Sequence, residues 1–172
     1  MGGQRRCQLI EAVGEARIRA LARDFQVVEV PLVSPDGEGE HSWLWVQKRN
    51  SNTQWVARQL ARFADVPLSA VSYAGLKDRH AVTEQYFSIH LAGRNDPDWS
   101  LLRHSDFKVL SATRHRRKLK TGALRGNRFR LHIRDSNADS RALQQRLERL
   151  RDGGFPNYFG EQRFGYEGHN LD

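Results

Sequence analysis

The sequence predicts an α+β fold: a mixed, mainly antiparallel sheet with helices packed on it. Three observations carry that reading. Several runs alternate apolar and polar residues with the period of a strand, while only two segments, near 51–65 and 139–150, repeat apolar residues at helical spacing. Val71–Ala74 and Tyr86–Leu91 are strand-like runs on either side of a short charged turn at Gly75–His80, which reads as a hairpin. At 172 residues the chain has room for one domain with a real core.

Taken in order, residues 1–14 carry little periodicity and read as a leader. Ala16–Leu21 reads as a first short strand. Asp24 then leads into Phe25, Val27 and Glu29 on one face, with Val28, Val30 and Leu32 on the other. Both faces are partly apolar, as in a strand inside a sheet. Glu29 is therefore a half-buried carboxylate that needs a partner. Pro35-Asp-Gly-Glu-Gly is a loop by its turn chemistry, and His41–Gln47 a strand with Trp43 and Trp45 on one side and Leu44 and Val46 on the other. An aromatic pair beside cations can stack bases, but on a buried strand it reads as core.

Ser51-Asn-Thr offers a helix start, and Val56, Leu60 and Phe63 follow at i, i+4 and i+7, with Arg58 and Arg62 outward. That helix is expected to lie across the sheet and to end near Asp65, before Pro67. Gly93-Arg-Asn-Asp-Pro is a turn, and Phe107–Ala112 a further strand. In Asn127–Arg134 the apolar face is Phe129, Leu131 and Ile133, opposite Arg128, Arg130, His132 and Arg134. A last helix from Asp139 or Ser140 has Leu143, Leu147 and Leu150 as its inward stripe and Gly153 as its cap. Phe155–Gly165 closes the chain as an aromatic- and glycine-rich loop.

Charge narrows the function. Twenty-eight Lys and Arg against twenty Asp and Glu give +8, with a pI near 10.2. Such a balance favours a polyanion, nucleic acid before an acidic membrane. The densest positive run, Arg114-His-Arg-Arg-Lys-Leu-Lys120, together with Arg128 and Arg130, is the expected contact with RNA backbone: Arg114, Arg116, Arg117, Lys118, Lys120, Arg128 and Arg130. Nothing in it reads bases, so recognition by shape of a folded RNA is expected. One cysteine, Cys7, excludes an intramolecular disulfide framework, and no zinc-ligand spacing, Walker loop or serine elbow occurs. No apolar run is long enough to span a membrane, and a cytoplasmic setting is expected. What is left is carboxylate chemistry without metal or cofactor. Asp78, a lone carboxylate among Lys77, Arg79 and His80 at the mouth of two strands, suits a nucleophile or a base; the competing reading is a solvated hairpin tip.

Ala74-Gly-Leu-Lys-Asp-Arg-His-Ala-Val-Thr-Glu-Gln85 resembles the signature segment of the tRNA pseudouridine synthase D (TruD) family. Phe25–Glu29, Pro35–His41, Gly122–Phe129 and Pro156–Gly165 match that family in its order, so the resemblance spans about residues 15–172. It implies a pseudouridine synthase-like catalytic domain, with Asp78 as the catalytic aspartate and Lys77 in pattern before it. It further implies that Phe25 and Asn127 contact the target nucleotide and that Phe129 lies against its base. Arg19 stands where the family usually carries a lysine that pairs with the aspartate; arginine keeps the charge but changes the reach. The implied substrate is the uridine at tRNA position thirteen, in the D arm, flipped into the cleft. The aspartate then attacks C1′ or takes a proton from C2′.

Family members are about twice as long, with an inserted domain after the Asn157–Gly165 loop and a return of the chain to complete the sheet. The resemblance thus implies an N-terminal portion of the catalytic domain, truncated where the insertion would begin. The missing C-terminal half is an expected partner alongside tRNA. Two other readings stay open: a non-catalytic RNA-binding module, and an interaction protein that recruits a partner at an exposed sheet edge.

Overall fold

A computed structural model describes residues 12–154. Two compact units divide the chain, Arg17–Arg134 and a second formed by residues up to Ala16 together with those from Asp135 onward. The first holds a six-stranded sheet: β1 (Phe25–Pro31), β2 (His41–Arg49), β3 (Val71–Tyr73), β4 (Val82–His90), β5 (Phe107–His115) and β6 (Leu124–Leu131). Strand order is β5-β2-β4-β1-β6, with β3 also on β4. All pairs are antiparallel except β1 with β4.

Helix α1 (Thr53–Phe63) covers one face of the sheet. Val56, Ala57 and Leu60 pack on Leu44, Val46, Phe87 and Ile89, all at 0–1% exposure. Each fully buried large side chain there stabilises by about 1.5–3 kcal/mol. On the opposite face Trp43 is buried with Ala74 and Leu119, and its indole N–H donates to the Arg117 carbonyl at 3.0 Å. Trp43 is core, as its strand setting predicts.

The β1–β4 ladder covers Val82–Glu84 and the β3–β4 ladder Phe87–Ile89, on the same edge of β4. Between the two ladders, the Tyr86 N–H donates to Glu29 Oε1 at 3.3 Å. That gap matters, because the loop from β3 back to the start of β4 carries Lys77 and Asp78.

Several sequence expectations need correction. Ala16–Leu21 forms no strand; its ladder pairing is limited to an isolated bridge of Arg17 with Arg134, and Arg19 has φ 57°. β6 runs Leu124–Leu131 instead of continuing to Arg134, because its partner β1 begins opposite Leu131, at Phe25. β5 extends to His115 because β2 continues beside it to His41. The face Phe129, Leu131 and Ile133 is not buried: exposures are 56%, 48% and 57%, since β6 is an edge strand beyond the reach of α1.

In the second unit, α2 (Ser140–Gly153) is capped by Asp139, whose carboxylate accepts from the Ala142 N–H at 2.7 Å. Gly154, at φ 69°, caps its other end in place of Gly153. The stripe expected to face inward is exposed at Leu143 and Leu147. Phe155–Gly165 and residues 1–11 lie outside the described residues.

Candidate active site

The register explains why residues distant in sequence meet. Phe25, Val27 and Glu29 of β1 stand opposite Leu131, Phe129 and Asn127 of β6, and Val27 opposite Thr83 of β4, so all share the face that carries α1. Asp78 lies in the β3–β4 loop on that same side. A backbone scaffold of side-chain hydrogen bonds fixes the loop. Thr53 Oγ1 accepts from the Lys77 N–H at 3.0 Å, and Gln85 Nε2 donates to the Gly75 carbonyl at 3.0 Å.

Lys48 was not singled out from the sequence, and it is the strongest of these ties. It is 1% exposed. Its ammonium donates to the carbonyls of Asp78 at 2.7 Å, Ser51 at 2.8 Å and Lys77 at 3.4 Å. Burial pulls its pKa from 10.5 down to about 8; the Asp78 charge opposes that fall and Lys77 assists it. The sequence does hold a signal: Leu44, Val46 and Lys48 continue one alternating face, so a lysine occupies a core register.

Lys77 does not reach Asp78. Its ammonium pairs with Glu29 Oε2 at 2.7 Å, with side chains 4% and 1% exposed. Glu29 thus finds the partner that its burial demands. Arg19 is the cation beside the aspartate: its Nη2 is 3.8 Å from Asp78 Oδ1, both side chains about one-third exposed. The same guanidinium stacks over the Phe25 ring at 3.9 Å, and Phe25 meets Phe129 edge-on at 6.0 Å. Phe25 is buried under that stack, whereas Phe129 presents open ring. Asp78, Arg19, Phe25 and Phe129 therefore form one run of contacts, and Asn127 stands on the same side of the sheet, opposite Glu29.

The expected RNA-backbone residues fare unevenly. Arg114 pairs with Asp96 at 2.8 Å and Arg116 with Glu38 and Asp36. Arg117, Lys118 and Lys120 are exposed. Arg128 and Arg130 are exposed too, but stand opposite Val28 and Gln26, on the face away from Asp78. Arg134 grips Asp24 with two hydrogen bonds of 2.7 Å, so the ladder of cations ends in an internal ion pair. Gly39 lies hard against this rim. At φ 112°, a Cβ there would sit 2.5 Å from the Arg116 Cα. No group of three His, Cys, Asp or Glu that could hold a metal occurs among the described residues. None of their helices is long and apolar enough to cross a membrane.

The model of the family described as tRNA pseudouridine synthase D (TruD) matches residues 9–170. The chain belongs to that family. It is 54% identical over 161 residues to the tRNA pseudouridine synthase D of Stutzerimonas stutzeri and 53% to that of Azotobacter vinelandii, in each case 94% of this chain. It spans about half the length of these curated relatives, 46% of each. A Methanosarcina mazei structure carrying the TruD name superposes with a TM-score of 0.72 at 32% identity, covering 87% of this chain and 35% of that one. The α+β sheet is thus the TruD fold over the portion that this chain shares with it.

Proposed function

We propose that this chain forms the aspartate-bearing part of a tRNA pseudouridine synthase that isomerises uridine, at position thirteen of the D arm, to pseudouridine. The observation that supports this best is the run of contacts from Asp78 through Arg19 and Phe25 to Phe129, on the face that also carries Asn127. Asp78 attacks C1′ of the flipped uridine as the C1′–N1 bond breaks, the uracil anion turns, and its C5 displaces the carboxylate from C1′. C5 then gives up its proton and N1 takes one, both by way of solvent, and Asp78 is regenerated. Removal of a proton from C2′ by the same carboxylate is the alternative first step.

Each neighbour has a task in this reading. The Arg19 guanidinium, 3.8 Å from Asp78 Oδ1, helps to orient the carboxylate. The accessible Phe129 ring offers the surface for the uracil, and Asn127 offers an amide to the nucleotide. Phe25 carries Arg19 on its face. Lys77 acts through Glu29 and positions the loop without touching RNA.

The test joins this chain to the remaining segment of the Stutzerimonas stutzeri relative and measures tritium release from a tRNA transcript labelled at uridine C5. Release that vanishes in D78N, with tRNA binding retained, supports the enzyme. Binding without release from the unmutated protein favours the RNA-binding module, for which the +8 charge speaks.

A further inference from the structure

The cations expected to meet phosphate are partly spent inside the protein. Arg114, Arg116 and Arg134 each hold a carboxylate. A guanidinium so engaged has its charge balanced and its donors in use, and an incoming phosphate must displace that partner. Besides the exposed Arg117, Lys118, Lys120, Arg128 and Arg130, positive charge without such partners among the described residues lies at the end of the sheet where β2 stops and β1, β4 and β5 begin.

Arg23 precedes β1, Arg49 closes β2 and Lys108 stands second in β5. Together with His104 and Asp106 they line an open cleft of about 320 Å³. Among the described residues, no carboxylate within 4 Å pairs with Arg23, Arg49 or Lys108. The cleft is held in shape by the Arg49 N–H, which donates to the Asp106 carbonyl at 2.7 Å. Asp106 itself accepts from Ser105 Oγ at 3.1 Å. Buried Lys48 forms part of the wall.

The cleft is also tied to the candidate active site. Val82, the first residue of β4, lines it and follows Asp78 by four residues, at most about 14 Å of extended chain. That is a span of a few nucleotides along a strand. An open, cationic trough at that range suits a phosphodiester backbone passing through better than a small enclosed ligand.

We infer that Arg23, Arg49 and Lys108 form a second RNA contact, holding phosphates of the strand that flanks the nucleotide at Asp78. The inference rests on the proposed function for the identity of its ligand. Its test is fluorescence anisotropy of this chain with an end-labelled tRNA transcript between 50 and 200 mM KCl. R49A/K108A should weaken binding about tenfold and lower the log–log salt slope by about 1.4, at roughly 0.7 per single-strand phosphate contact. R58A/R62A removes the same charge from the outer side of α1 and should change affinity less than about twofold.

Equal losses in the two pairs, an unaltered R49A/K108A, or no RNA binding by the unmutated chain would each overturn the site. So would displacement of the RNA by 1 mM uridine monophosphate, which would mark a pocket for free phosphate. Circular dichroism melts establish that both pairs fold. Tritium release is read separately. Loss of binding in R49A/K108A alongside no release from the completed protein leaves the cleft standing and removes the enzyme.

Discussion

Lys48 meets Asp78 through the backbone: its buried ammonium donates to the Asp78 carbonyl at 2.7 Å, while the carboxylate of Asp78 faces Arg19. One residue of the loop is thereby held from beneath and left free above. A reactive side chain needs that division, since its orientation is set without its oxygens being occupied.

The lysine should leave a mark on stability against pH. The folded state releases its proton near pH 8, whereas the unfolded chain keeps it to about 10.5. Between those values the unfolded state binds more protons, so stability rises with pH. The shift corresponds to about 3 kcal/mol. Urea unfolding at pH 7 and pH 10.5 should show the stability advantage over K48M growing by up to that amount; a constant difference would refute the assignment.

Replacing Asp78 by Asn keeps shape and removes the charge. In the completed protein D78N should lower tritium release at least about 1,000-fold, with tRNA affinity within twofold. A variant that turns over normally would exclude Asp78 from the chemistry.

E29Q leaves the Lys77 ammonium buried without a counter-charge, which costs about 3–5 kcal/mol. Replacing both partners by apolar residues, E29L/K77M, should recover most of that loss in urea unfolding. Equal instability of the single and double variants would show that the pair's charge is not what matters.

R19A should cost little stability, within about 0.5 kcal/mol, because the pair is more than a third exposed on the arginine side. Its effect belongs in turnover by the completed protein: tritium release should fall about 10–100-fold in R19A, through loss of the group that orients the carboxylate, and R19K should restore it in part. Unchanged release in R19A would separate Arg19 from the work of Asp78.

Asp24 reports on acid. The hydrogen bonds from Arg134 hold its pKa near 2, below the usual 3.8, against burial that pushes it up. Its contribution is therefore present above pH 3.8 and lost as pH falls toward 2. Melting temperatures taken from pH 5 to pH 2 should fall more steeply for the unmutated chain than for D24N, and parallel curves would contradict this.

Much of the sheet was legible because alternation survives wherever one face is covered. Phe25, Val27 and Glu29 fall on a buried face as their period implies, and α1 lies where Val56 and Leu60 call for it. The reading failed at β6, where alternation is equally clean but no neighbour supplies the cover. Period two states which residues share a side, and burial needs a second element whose position is not local. Likewise the sequence exposed Asp78 and Arg19 as charged residues, but could not assign Lys77 to Glu29. Which cation a carboxylate takes depends on strand register, and Lys77, 48 positions after Glu29, is brought to it by the loop that leads into β4, the parallel neighbour of β1. Lys48 was passed over because a lysine ending a strand reads as solvated unless its face is counted.

Gly39 has a last consequence. Its bare α-carbon lets the 36–40 loop press onto Arg116, and Asp36 and Glu38 clamp the same arginine. The cationic stretch after β5 is thus a preformed ledge, unlike the loose arms that wrap around nucleic acid. Under the proposed function, an RNA docking there would meet a surface already set, and selection among transcripts would follow their folded contour at little ordering cost to the protein.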